Sequence, residues 1–559
     1  MKYSKRYIAF AVILLMAFLI KLNTWNDEYA EVDTFRGAAL QDEVFYPLKA
    51  RSVNEEGALS LVVGETTYGR KDGLLMGDHM QPMVSLDFAQ SLFGCSAKLY
   101  DRERVEVHYN KETYLFYIGD PEVSVAGQTR ALLVPPELHE DKAYLPLKNL
   151  CDYFSCDYSY DEENYQAVIS SEIVKGTLPV AFDLRGNGRA TAVRDQGSDA
   201  TCWAQASLTA LESSLLPEDT RSFSVDHMVK DNAFAIDSEL GGKYTMAVAY
   251  LLSWMGPVEK KAVKHHVQEV HFFDHDNREE IKWAIYQNGG VSTSIYANIA
   301  TSNLSKSSYY NKKKNAYCYL GEQKPNHDVV IIGWNDQYSK ENFTEDVPGD
   351  GAFICQNSWG ASFGEKGVFY VSYYDTNIGN QGVSYVKVED GDNYDSIYQS
   401  DLCGWSGQVG YRKEKIHGAN IFTARGDELI TGAGFYALDE NTEYQLYFVP
   451  RYNNTSSLAN RVEVASGTLK SAGYYTIPFD KPYAVEEGQE FAVILAINTP
   501  GVEHPLAIEY QSDELTKNVD ISDGEGYISN NGLDWESVEE KAKGNLCIKA
   551  YGKKVKETN

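Results

Sequence analysis

The chain has 559 residues, enough for three or four domains of ordinary size. Hydrophobic residues make up 43% and charged residues 23%, a globular balance that excludes a mainly disordered polymer. Acidic side chains outnumber basic ones 80 to 51, for a formal charge of -29; such a chain repels a phosphate backbone, so no nucleic-acid partner is expected.

Lys2, Lys5 and Arg6 precede an uncharged apolar run from Ile8 to Ile20, which Lys21 interrupts. A basic start and a run of this length fit an export signal better than a spanning helix of about 20 residues. The next stretch, Lys21-Leu22-Asn23-Thr24-Trp25, offers no small-x-small cleavage site. Residues 1–24 therefore read as a signal peptide or an uncleaved signal anchor. The expectation is an exported protein, extracellular or at the cell surface, touching a membrane only through that segment if it stays attached.

Residues 44–171 contain an internal repeat. Met83-Val84-Ser85-Leu86, continuing to Phe93-Gly94-Cys95, lines up with Tyr144-Leu145-Pro146-Leu147, continuing to Phe154-Ser155-Cys156. Each half predicts a short strand leading into an amphipathic helical turn, and the first goes on to an alternating strand, Val105 to Tyr109. Cys95 and Cys156 sit at equivalent positions behind apolar helix faces, where core thiols are expected rather than ligands. The segment resembles the repeat domain named after the N-terminal region of copper amine oxidases. Nothing in it supplies a His-rich copper site. The segment reads as a small α+β stalk or as a proregion.

Residues 178–390 carry the chemistry. Cys202 opens a stretch, Ala204 to Leu215, of helix formers with an apolar stripe that Pro217 stops. A thiol at a helix N-terminus meets unpaired N–H groups, which favour the thiolate and hence the nucleophile. Alone, such a cysteine reads as a buried structural residue. Downstream, His327 opens an apolar strand within Asn326-His327-Asp328-Val329-Val330, and Phe353-Ile354-Cys355-Gln356-Asn357-Ser358-Trp359-Gly360 runs from strand into turn. A working thiol needs a base, and the base needs a third group to fix its ring. Cys202, His327 and Asn357 can meet that need, with Gln196 a candidate donor to a developing oxyanion.

These residues resemble the papain-like cysteine peptidases, through Gln196-Gly197, Cys202-Trp203-Ala204, Asn326-His327 and Asn357-Ser358-Trp359-Gly360 in that order. The resemblance implies Cys202 as nucleophile, His327 as general base and acid, Asn357 as the group orienting it, and Gln196 in the oxyanion hole. It also implies that Trp359, with Trp203, supports the site and that Gly241-Gly242 binds extended substrate. Asp328 falls where the family lines the pocket for the second residue before the cut. It either admits basic side chains or is a solvated, hydrogen-bonded carboxylate. The implied fold is two-lobed, one lobe helical with Cys202 and the other barrel-like with His327 and Asn357. Asp199 stands where the family usually has a disulfide cysteine, no cysteine lies near Gly241, and no helical propeptide of the family's pattern precedes Leu178.

Residues 393–552 hold short aromatic and β-branched runs, such as Tyr444 to Val449 and Phe491 to Ala496, between Gly, Asn and Asp, which predicts a β-sandwich. With Gly351-Ala352-Phe353, Gly418-Ala419-Asn420 and Gly526-Tyr527-Ile528, the whole resembles exported clostridial-type peptidases with a C-terminal lectin-like domain. That domain reads either as a glycan or cell-wall binder or as a structural module. His265, His266, His271 and His275 match no zinc spacing and read as a polar surface loop. Lys312-Lys313-Lys314 reads as a solvated loop, and 346–351 lacks the ligand series of a calcium loop. Neither metal nor cofactor is expected. The fold class is α+β, and the function an exported cysteine endopeptidase acting on peptides and proteins. The rival is a catalytically idle adhesion or glycan-binding protein that keeps the peptidase fold.

Overall fold

The computed structural model describes residues 59–555, apart from 65, 78–79, 111, 126–127, 140–141, 162–163, 171–175, 236–240, 298–306 and 523–524. The expected export segment and residues 44–58 of the repeat segment lie outside these. Among the described residues no helix is long and apolar enough to cross a membrane.

In the N-terminal unit, strand β1 (Pro82–Ser85) enters helix α1 (Leu86–Phe93) and β2 (Ser96–Tyr100) leaves it. β3 (Lys142–Pro146), α2 (Leu147–Tyr153) and β4 (Tyr158–Asp161) repeat that order. The halves join where β1 pairs antiparallel with β3, Ser85 opposite Tyr144. Ser85 also starts α1, because its hydroxyl accepts the Phe88 N–H, and left-handed Gly94 ends it. Cys95, Cys151 and Cys156 are buried in this unit's core.

The catalytic segment has two lobes. Helix α3 (Cys202–Leu215) is buried on every side from Trp203 to Ser213, so its packing and not a polar face decides its position. Helix α4 (Tyr244–Leu252) packs beside it. Facing them is a sheet of β5 (His265–Phe273), β6 (Val291–Ile295), β7 (His327–Asn335), β8 (Ala352–Gln356), β9 (Val368–Ser372) and β10 (Gly382–Asp390). The strands lie in the order β9-β8-β7-β6-β10-β5, and helix α5 (Arg278–Asn288) packs on β7 and β10.

The histidine cluster corrects a sequence expectation. His265, His266 and His271 lie on β5, not in a surface loop; His265 and His266 are buried, and His266 stacks on Trp254 at 3.7 Å between ring centroids. β5 is an inner strand, so His265, His266 and Gln268 along it face neighbours instead of water. Its position depends on the C-terminal domain, which no local pattern reveals.

That domain is a sandwich built from β11 (Lys415–Thr423), β12 (Glu428–Ala437), β13 (Thr442–Val449), β14 (Gly473–Val485), β15 (Glu490–Asn498) and β16 (Ile548–Lys554). One layer contains β13-β15-β11 and the other β14-β12-β16. Phe435, Leu446, Phe448, Phe491, Val493 and Ile548 fill the space between. The second layer does not end at the domain boundary. β5 pairs with β14 through Glu269–Tyr475, Val270–Tyr474 and His271–Gly473, so one sheet runs from the catalytic lobe into the sandwich. Gly473 permits this approach, since a Cβ there would lie 2.1 Å from the Val270 carbonyl oxygen. Tyr436, Tyr474 and Cys547 accordingly belong to the same apolar core as α3.

Candidate functional site

Cys202 is the first residue of α3 and half-buried. Backbone N–H groups at the helix start, and that of Asp328 from β7, favour its thiolate. Burial, then the negative charge of Asp328, push the thiol up to about 12, against those amides. The amides alone therefore do not hold an isolated thiolate.

His327 opens β7 and is buried, and burial lowers its imidazole to about 4. Its tautomer follows from its neighbours. Asn357 Oδ1 accepts the Ser358 backbone N–H at 2.7 Å, which identifies that end of the amide as oxygen. The same oxygen lies 2.8 Å from His327 Nε2, so Nε2 carries the proton and Nδ1 keeps its lone pair. Trp359 lies over the ring, 4.5 Å between centroids and 23° from parallel, and keeps water from that face. Burial without a countercharge keeps the imidazole neutral, as a base must be.

Gln196 is tied to the same loop. Its backbone N–H donates to Ser358 O at 2.8 Å, and Ser358 Oγ donates to its Oε1 at 2.5 Å. That contact aims the amide nitrogen toward the start of α3, where it donates to Asp199 O at 2.6 Å and keeps a second N–H. Gly241 and Gly242 lie against the same helix start. A Cβ on Gly242 would come within 2.6 Å of the buried Trp203 indole, and one on Gly241 within 3.3 Å of Ala200 O. Only glycine lets that segment lie so close, and Gly241 is also left-handed at φ 76°.

The Asp328 carboxylate is half-buried, and Ser294 Oγ from β6 donates to it at 2.5 Å. Burial nevertheless raises it to about 6. Ser294 also lies 3.2 Å from Gln381 Oε1, and Asp328 is close enough to raise Tyr244 of α4. The structure thus brings together Gln196, Cys202, Trp203, Gly241, Gly242, His327, Asp328, Asn357 and Trp359. Sequence reading missed the parts played by Ser358, Ser294 and Gln381. Ser358 stands inside a motif already singled out, whereas Ser294 and Gln381 give no local signal. All eight cysteines are free thiols. Among the described residues no three His, Cys, Asp or Glu side chains gather as a metal site would require.

Comparison with known proteins matches three stretches of the chain. Residues 75–169 match the copper amine oxidase N-terminal domain, residues 255–386 the papain family cysteine protease domain, and residues 397–552 the lectin-like domain. Cysteine proteinase 1 of Entamoeba histolytica is 32% identical over 211 residues, 34% of this chain and 62% of that protein. Mouse cathepsin K is 23% identical over 211 residues, 34% of this chain and 59% of its own length. The chain thus spans about three fifths of these curated relatives. A solved structure of the clostridial cysteine protease Cwp84 after propeptide cleavage is 27% identical with a TM-score of 0.59, covering 67% of this chain and 99% of that one. A second comprises the cysteine protease and lectin-like domains of Cwp84, described there as a surface-layer associated protein of Clostridium difficile. It is 26% identical with a TM-score of 0.59, covering 68% of this chain and 90% of that one.

Proposed function

We propose, on the premise that this chain carries a papain-family cysteine peptidase domain between a copper-amine-oxidase-N-terminal-type domain and a lectin-like domain, that it is an exported endopeptidase cutting peptides and proteins. The observation that carries the reading is the fixed tautomer of His327, with Nε2–H held by Asn357 and Nδ1 free to accept a proton. In this reading Nδ1 takes the Cys202 proton. The thiolate and imidazolium so formed neutralise each other in a site where burial disfavours either charge alone.

The thiolate attacks the substrate carbonyl carbon. The oxyanion is received by the Cys202 backbone N–H and by the second amide N–H of Gln196. His327 then returns its proton to the leaving amine, and a thioester remains on Cys202. Water attacks the thioester with His327 again as base, releasing the acid and restoring the thiol. The Gly241-Gly242 backbone would pair with the extended substrate as an added strand. Export and a place at the cell surface belong to the same proposal. They rest on the basic, then apolar, N-terminus and on the likeness to a surface-layer associated protein. Binding of glycan or cell wall by the C-terminal domain is the second partner class the architecture suggests.

The test compares the exported chain with Cys202→Ala under reducing conditions, using a peptide library and an epoxide directed at nucleophilic thiols. The expected result is library cleavage, and one epoxide adduct per chain, in the wild type only. Wild-type protein that neither cuts the library nor takes up the epoxide would sink the proposal in favour of the idle adhesion protein.

A further inference from the structure

The two longest helices of the catalytic segment end on the same side of it. α3 and α5 have no basic residue in their last turns, although a helix C-terminus presents unpaired carbonyls and partial negative charge. Lysine and serine partners for both ends come from the N-terminal unit. Lys98 of β2 donates to Ser214 O at 3.0 Å and lies 3.3 Å from the Glu218 carboxylate, just beyond α3. Ser96, on the same strand, donates from Oγ to Tyr286 O at 3.0 Å, in the last turn of α5. Arg189 of the catalytic segment completes that end, reaching Tyr286 O at 3.1 Å and Gln287 O at 2.9 Å. In return Gln287 Nε2 donates to Gln90 O and Cys95 O, each at 3.2 Å. The connecting segment is pinned as well, with Gly176 N–H on Phe93 O and Thr177 N–H on Asn110 Oδ1.

Cys202 lies at the opposite end of α3, about 20 Å away at 1.5 Å per residue. Among the described residues, the side-chain hydrogen bonds of Gln196, His327 and Asn357 all go to partners within the catalytic segment.

We propose that the N-terminal domain is a docked foundation of the catalytic domain. It helps close the carbonyl ends of α3 and α5, docks at the end of α3 opposite Cys202, and stays bound after the chain is cut between the two domains. This assigns residues 59–169 the role of a retained module and not of an inhibitory proregion. It does not depend on the catalytic reading.

The test places the recognition sequence of an unrelated, specific protease at 171–175 of the full chain. Cutting is followed by size-exclusion chromatography and thermal unfolding, in a Cys202→Ala background so that self-cleavage cannot intrude. In parallel, kcat/KM on a peptide is measured per titrated thiol in the wild-type background. The cut pieces are expected to elute together, with kcat/KM changed less than about twofold. Ser96→Ala with Lys98→Met should release the N-terminal piece after cutting and lower the melting temperature of the remainder by more than about 3 °C. Separation of the wild-type pieces on cutting would overturn the proposal, even if the double variant failed to fold. So would a tenfold or greater rise in kcat/KM on cutting, which would mark an inhibitor. If no peptide is cut at all, elution and melting still decide the question.

Discussion

The backbone N–H of Asp328 favours the Cys202 thiolate while the charge of its carboxylate raises the same thiol. One residue therefore both supports and opposes the nucleophile, and the two effects can be separated, because a side-chain change leaves the amide in place. Asp328→Asn should speed epoxide capture of Cys202 severalfold at neutral pH. The same change should lower kcat/KM at least tenfold for peptides with Lys or Arg near the cut, and little for apolar ones. The carboxyl is raised to about 6, so the preference for basic substrates is expected to appear as pH climbs through 6 and to vanish below it. Rates for paired basic and apolar peptides from pH 4.5 to 8 check this, and a flat ratio would count against it. Cys202, His327 and Asn357 were legible because each stands in a short, chemically specific run. The partner of Asp328 was not, because Ser294 comes from another segment and meets it only once β6 and β7 pair, with Gln381 reached in turn through Ser294.

The strand pairing between β5 and β14 is the element on which two domains depend. Gly473→Val would drive a side chain into the Val270 carbonyl, and the seam would have to open or the strands move apart. The expected cost is more than about 2 kcal/mol, read as a lower urea midpoint, with aggregation because an unpaired β5 edge would be exposed. A variant with wild-type unfolding and no light scattering would show that the seam contributes little. The N-terminal repeat was readable in advance because each copy is a local strand–helix–strand unit, the first with its own caps at Ser85 and Gly94. The histidines of β5 were misread for the opposite reason. His265 and His266 are buried where they pair with Asp390 and Glu389 of β10, more than a hundred residues away, and where Trp254 stacks on His266.

At the scale of the molecule, the junction of catalytic and C-terminal domains encloses a charged group. Lys549 and Asp401 pair at 2.7 Å with almost no exposure, and Glu509 lies beside them, holding Asn545 at 2.9 Å and the Cys403 backbone N–H. Burial, then the Asp401 charge, raise Glu509 to about 7. Between about 4.5 and 7 the folded chain keeps a proton that the unfolded chain has lost, so stability falls as pH rises through this window. Above 7 this contribution levels off. Glu509→Gln should flatten that part of the pH–stability curve and raise the melting temperature at pH 8 relative to wild type. Calorimetry across pH 5–8 checks both, and an unchanged slope in the variant would place the titration elsewhere. The order of domains was legible from composition and motifs, whereas their fusion was not, since no single segment records which edge it will pair with.

A sheet shared by two domains gives them no pivot. If the C-terminal sandwich holds to a fixed surface, the cleft inherits one height and one heading above it. A chain segment passing at that height is offered to the thiol again and again, while an equally good sequence held slightly out of line is never reached. Such an enzyme would choose by location before it chose by side chain.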